Sequence, residues 1–212
     1  MSYITSNKIA KLTILCLFLL NSCATTTMVD RTVKFNKNKV LSTISAVDST
    51  FNELESLLYV DIKSQNMYLL EKGFILKAFR VSSSYYGTGS EVNSLKTPLG
   101  KHEVYKKIGK DLPINAILKG RVWNGAIANV ITDDIDTDFD HVTSRILWLD
   151  GLEIGKNKGP GVDSRSRYIY IHGTAEEGLI GRPASDGCIR MYNTDVIDLF
   201  DLVNEKVQVW IY

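Results

Sequence analysis

Residues 167–191 read RYIYIHGTAEEGLIGRPASDGCIRM, and this stretch decides both the fold and the candidate chemistry. An apolar run from Arg167 to Ile171 has the composition of a strand and passes straight into His172-Gly173-Thr174. A spacer with Gly178 and Gly181 then leads to Ser185-Asp186-Gly187-Cys188-Ile189-Arg190. A histidine at a strand end projects towards a cleft mouth. Gly173 lets the backbone turn there, and its carbonyl can hold one imidazole tautomer. Gly187 permits a tight turn before Cys188, so the N–H groups of Gly187 and Cys188 can point at a developing oxyanion. Cysteine acylation requires a sulfur nucleophile, a base and oxyanion donors, and Cys188, His172 and this turn supply one of each. Singly, each feature also has a bland reading: His172 as a satisfied core histidine, the glycines as an ordinary loop.

Working outward, Leu58, Val60 and Ile62 alternate with polar residues, Ser64-Gln65-Asn66 is a turn, and Met67–Leu70 and Phe74–Val81 flank a second turn at Lys72-Gly73. This predicts a β-meander. Thr97-Pro98-Leu99-Gly100 is a turn before a strand from His102 to Ile108, and Arg145–Leu149 and Val207–Tyr212 read as further strands. Asn193 or Thr194 is positioned to cap a helix whose apolar face carries Val196, Ile197, Leu199, Phe200 and Val203. Residues 109–143 read as irregular, and the acidic run from Asp133 to Asp140 as a solvated loop without the glycine and terminal glutamate of a calcium-binding EF-hand. The expected fold is mostly β with one helix in the C-terminal half.

The N-terminal residues form a separate unit. Lys8 and Lys11 precede an apolar stretch, Leu12–Leu20, too short to span a bilayer, which needs roughly 20 residues. Residues 1–22 are expected to be an export signal, and Leu20-Asn21-Ser22-Cys23 resembles a bacterial lipobox that would lipidate Cys23. Ala24 after that cysteine points, by the same resemblance, to the outer membrane. Residues 23–56, rich in Thr, Ser, Lys and Asn, read as a tether ending in a short helix near 47–57. Removing residues 1–22 takes away two lysines and no acids, moving the formal charge from +1 to −1. Near-neutral charge without a basic block excludes nucleic acid as an expected partner. With Cys16 in the signal and Cys23 lipidated, Cys188 is the one cysteine left for the domain, a candidate reactive thiol. One such cysteine and three scattered histidines provide no zinc spacing, so no metal or other cofactor is expected. His102 and His141 are read as structural.

On His172-Gly173-Thr174, the glycine-containing spacer and Ser185-x-Gly187-Cys188-Ile189-Arg190, the sequence resembles the L,D-transpeptidases with a YkuD-type catalytic domain. The resemblance spans roughly residues 57–212 and includes Val60–Tyr68, the Thr97–Gly100 turn and Ser144–Leu149. It implies a β-sandwich with an irregular capping insertion, Cys188 as nucleophile, His172 as base and the Gly173 carbonyl as its orienter. It implies peptidoglycan stem peptides as substrates: Cys188 acylated at the L-centre of the third stem residue, D-alanine released, and an amine of a second stem or of a protein as acceptor. Arg145 and Arg190 are candidates to grip stem carboxylates, with Tyr170 and Ser185 lining the same pocket. The family usually has His where this chain has Asp186, which touches the shape and charge of that pocket. Arg182 and Arg190 flank it as possible partners. Two alternatives stand beside transfer: hydrolysis of the same bond, and a catalytically inactive wall-binding lipoprotein.

Overall fold

The computed structural model describes residues 32–212. The expected signal, Cys23 and the first part of the tether lie outside the described residues. Ten strands form one sheet: β1 (Ser56–Asp61), β2 (Asn66–Glu71), β3 (Phe74–Ser82), β4 (Gly100–Ile108), β5 (Ala116–Lys119), β6 (Val122–Ile127), β7 (Val142–Gly151), β8 (Tyr170–Thr174), β9 (Ile189–Met191) and β10 (Gln208–Ile211). Helix α1 covers Lys37–Val47 and helix α2 covers Asn193–Leu202.

The strand order is β4-β10-β1-β2-β3-β9-β8-β7-β5-β6, and β4 also pairs with β7. That pairing, from His102 opposite Gly151 to Ile108 opposite Ile146, curls the sheet closed and leaves β5–β6 as an appended hairpin. The meander β1–β2–β3 is antiparallel, as its alternation predicts. Two pairings are parallel, β1 with β10 and β8 with β9.

The period of two sorts each strand's side chains between the two faces. Leu58, Val60, Leu147, Leu149, Ile171, Ile189 and Met191 face inward, where α2 adds Val196, Leu199 and Phe200. Leu57, Tyr59, Tyr68, Leu70 and Trp210 face outward and are covered by α1 through fully buried Ile44, with Val40, Leu41 and Val47 beside it. Helix α1 lies within the segment expected to be tether, and the helix expected near 47–57 is replaced by a 3₁₀ turn (Ser49–Glu53) and the start of β1. Residues 37–56 are therefore part of the packed domain. Asn36 starts α1, its side chain accepting from the Lys39 N–H at 3.1 Å.

The irregular reading of 109–143 misses the β5–β6 hairpin. Every residue of β6 is exposed, so no buried–exposed alternation marks it. The catalytic-side strand begins at Tyr170 rather than Arg167, because Tyr168 sits in the left-handed region (φ 57°) and breaks the extended run.

Candidate active site

Strands β8 and β9 run parallel with His172 opposite Arg190. Cys188 lies two residues before Arg190, just outside β9, so its side chain leaves the same sheet face as His172, Tyr170 and Arg190. This is the outer face, opposite the core that takes Ile171 and Ile189. Cys188 packs there beside Tyr170 and Ile146. The Tyr170 N–H donates to Cys188 Sγ at 3.4 Å, and the thiol donates to the Tyr168 carbonyl at 3.5 Å.

His172 is 1% exposed. Its Nδ1 lies 2.7 Å from the Gly173 carbonyl oxygen. A carbonyl only accepts, so Nδ1 carries the proton and Nε2 is left as the basic nitrogen. Gly173 is required by close approach: a Cβ there would meet Asn193 Oδ1 at 2.6 Å and the Thr143 carbonyl at 2.9 Å. Asn193 is the buried hub beneath this turn. Its Oδ1 accepts from Thr143 Oγ1 and Ser144 Oγ, both at 2.6 Å, and its Nδ2 donates to the Thr174 carbonyl at 2.7 Å. Asn193 is the first residue of α2 rather than its side-chain cap, and Glu177 accepts its backbone N–H at 2.8 Å.

The loop before Cys188 is strapped to the end of β3. The N–H groups of Ala184 and Ser185 donate to the Ser83 carbonyl, and the Tyr85 N–H donates to the Ser185 carbonyl. Gly187 adopts φ 120°, which an L side chain would strain. Its carbonyl accepts from Thr97 Oγ1 at 3.0 Å. Its N–H donates to Ser185 Oγ at 3.3 Å, and that hydroxyl donates to the Cys188 carbonyl at 2.6 Å. Ser185 is therefore a fully buried brace of the cysteine turn, not a wall of the substrate pocket. The expected oxyanion donor at Gly187 is engaged with it.

The two arginines expected to bind carboxylates are committed elsewhere. Arg145 sits on the inner-face parity of β7 beyond the left-handed Ser144. It donates to the carbonyls of Leu112 and Ser144, with its guanidinium 5.7 Å from the Phe200 ring. Arg190, 2% exposed, donates to Glu176 at 2.8 Å and pairs with Asp140 at 2.8 Å. Arg182 pairs with Asp134. Asp186 is thus left without either expected arginine. It borders a pocket of about 360 Å³ with Asp136, Asp138, Asp140, Tyr85 and Tyr86, where partial burial and then the Asp140 charge push its carboxyl upward.

Four residues of this site escaped the sequence reading. Asp140, placed in a solvated acidic run, and Glu176, fully buried, hold Arg190 on the outer sheet face, where it lines the pocket beside Asp186. Arg167 donates to the carbonyls of Gly89 and Lys96 and so pins loop 89–96 near the sulfur. Arg121, at the turn of the β5–β6 hairpin, donates to Tyr170 Oη at 3.0 Å. None carries a sequence signal beyond its charge, though Arg167 and Glu176 both stand inside the motif stretch.

Electrostatically the resting pair is neutral. Burial pushes the Cys188 thiol up to about 12; the Asp140 charge adds to this, while the Tyr170 N–H, Arg190 and Arg167 oppose it. Burial lowers His172 below the usual imidazole range, with Arg190 acting the same way and Asp140 and Gly173 opposing.

Residues 55–211 match the L,D-transpeptidase catalytic domain family, YkuD. The YkuD protein of Bacillus subtilis (strain 168) is 35% identical over 65 residues, covering 27% of this chain and 40% of that protein. Among solved structures, an L,D-transpeptidase from Mycobacterium smegmatis is 14% identical with a TM-score of 0.48, covering 74% of this chain and 58% of that one. L,D-transpeptidase 3 from Mycobacterium tuberculosis is 14% identical with a TM-score of 0.46, covering 74% and 61%. The chain thus spans less than two thirds of the length of each of these proteins. The family match runs across nearly the whole described fold and contains the Cys188–His172 face, and on that match the chain belongs to the YkuD-type L,D-transpeptidases.

Proposed function

We propose that this protein is a peptidoglycan L,D-transpeptidase acting through a Cys188 acyl-enzyme. The observation that carries the reading is the His172 tautomer: Nδ1–H held by the Gly173 carbonyl at 2.7 Å leaves Nε2 basic on the sheet face that also presents Cys188. Sγ attacks the carbonyl at the L-centre of the third stem residue while its proton passes to His172 Nε2. The tetrahedral intermediate collapses, the C–N bond breaks, and His172 returns the proton to the departing amine of D-alanine. The thioester is then attacked by an amine, of a second stem or of a protein, whose proton goes to Nε2 as the C–S bond breaks and Cys188 is reprotonated. Because the sulfur starts as a thiol, the oxyanion donors and the imidazolium must be supplied in the transition state. The Cys188 turn supplies the donors when Ser185 Oγ yields the Gly187 N–H.

The domain works at the exported face of the envelope, held by a lipid on Cys23, with the outer membrane favoured by Ala24; membrane fractionation of Cys23→Ala tests this placement. The reaction is tested by intact mass after mixing the protein with a tetrapeptide stem. The expected adduct is an acyl group on Cys188 with loss of D-alanine, absent in Cys188→Ala, followed by transfer on adding an acceptor amine. Conversion of the stem by a folded Cys188→Ala protein would refute it. Release of the tripeptide acid in the presence of excess amine would instead make the enzyme a hydrolase.

A further inference from the structure

Arg145 and Arg190, the sequence candidates for an anion anchor, are satisfied by protein groups. The hairpin turn supplies one. Arg121 stands at the β5–β6 turn in the left-handed region, φ 69°, directly after Gly120 at φ 57°. Its guanidinium lies 4.7 Å from the centre of the Trp148 ring and 5.0 Å from that of Tyr168. Among the described residues its one hydrogen bond is to Tyr170 Oη at 3.0 Å, and it has no carboxylate partner. Arg190 is paired with Glu176 and Asp140, Arg182 with Asp134, and Arg145 and Arg167 are bonded to carbonyls.

The placement is specific to the nucleophile. Of the three residues that contact Arg121, two, Tyr168 by its ring and Tyr170 by its hydroxyl, touch Cys188 Sγ through their backbones. Aromatic rings hold a guanidinium through its face and leave its N–H edge for a planar anion. The Tyr170 hydroxyl accepts from Arg121, so its own proton is available to the same anion. An anion received here lies at the outer ends of the two tyrosine side chains whose backbones contact the sulfur.

Resting on the reaction proposed above, we propose that Arg121 and the Tyr170 hydroxyl form the subsite for the terminal carboxylate of the donor stem, the carboxylate of the D-residue that leaves. The β5–β6 hairpin turn carries this specificity element. Arg121 and Tyr170 touch the substrate; Trp148 and Tyr168 position the guanidinium.

The test compares two tetrapeptide stems, one ending in a free D-alanine carboxylate and one in its carboxamide. A charge-assisted hydrogen-bonded carboxylate corresponds to about a 10- to 100-fold preference of the wild type for the acid in kcat/KM. Arg121→Ala should lose about that factor on the acid and less than about threefold on the amide. Arg121→Lys, which keeps the charge and the hairpin but loses the fork, should retain part of the preference, and Tyr170→Phe should weaken it. Equal losses on both substrates would make Arg121 a hairpin strut and overturn the subsite. A wild type that converts acid and amide alike would overturn it too, while leaving the Cys188 reaction standing. A wild type that converts neither refutes the reaction and the subsite together.

Discussion

At the scale of single residues, the decisive charge beside the sulfur is Asp140. The neighbours of Asp186 invite an arginine partner, yet the arginines on either side are taken by Asp134, Glu176 and Asp140. Asp140 acts on both members of the pair, raising the Cys188 thiol and favouring the His172 imidazolium. With the thiol pushed up to about 12, the thiolate fraction is small at neutral pH and rises about tenfold per pH unit. Iodoacetamide labelling of Cys188 should therefore climb steadily from pH 6 to beyond pH 9 without a plateau. Asp140→Asn should shift that profile to lower pH, because a negative charge near the sulfur is gone. The same variant should turn over stems more slowly, because the imidazolium formed during attack loses its counter-charge. A labelling plateau near pH 7 in the wild type would mean a preformed thiolate–imidazolium pair and defeat the neutral-pair description.

At the scale of elements, legibility follows burial. Helix α2 is plain in the sequence because it sets a row of apolar residues against one core, and β1 and β2, buried on both faces, are plain from their apolar runs and the turns between them. The same logic explains the omissions. Strand β6 is exposed along its length, and β9 is three residues long, so neither has a period to detect. The His172–Cys188 face was legible because glycines and a strand end leave marks in sequence. The Arg190–Glu176 and Arg190–Asp140 pairs were not, because pairing is set by three dimensions. Helix α1 is the instructive case: its serines, threonines and lysines read as tether, while Val40, Leu41, Ile44 and Val47 form a helical stripe. That stripe closes the outer face of β1, β2 and β10. Ile44→Ala should cost about 2–5 kcal/mol, the usual range for a fully buried isoleucine truncated to alanine. Urea denaturation followed by tryptophan fluorescence checks this, since Trp210 lies in the same cluster. A change under about 0.5 kcal/mol, as at surface sites, would mean α1 is not bound as described.

At the scale of the whole molecule, closure through β4 and β7 makes stability depend on what sits at the seam. His102, on β4, is fully buried there, with Nδ1 3.0 Å from the Gly100 carbonyl and Nε2 3.0 Å from Ser164 Oγ. The carbonyl fixes the proton on Nδ1, so Nε2 accepts from the serine hydroxyl. The imidazole thereby ties β4 to the loop that leads from β7 to Tyr168, Tyr170 and His172. Burial lowers its pKa to about 4, against the Gly100 carbonyl and the charges of Glu153 and Asp150, which raise it. In the unfolded chain an unperturbed histidine titrates near 6.5. Between these values the unfolded state binds a proton that the folded state refuses, so folding stability rises with pH across the window. This contribution is fully present above about pH 6.5 and is lost as pH falls towards 4. Its size is about 3 kcal/mol at most, from 1.36 kcal/mol per unit. His172, also lowered by burial, adds in the same direction. The urea midpoint should therefore drop steadily from pH 6.5 to pH 4. His102→Gln, which removes the titration, should start lower at pH 7 and show a shallower fall. An equally steep fall in that variant would assign the acid sensitivity to other groups and leave His102 as a neutral spacer at the seam.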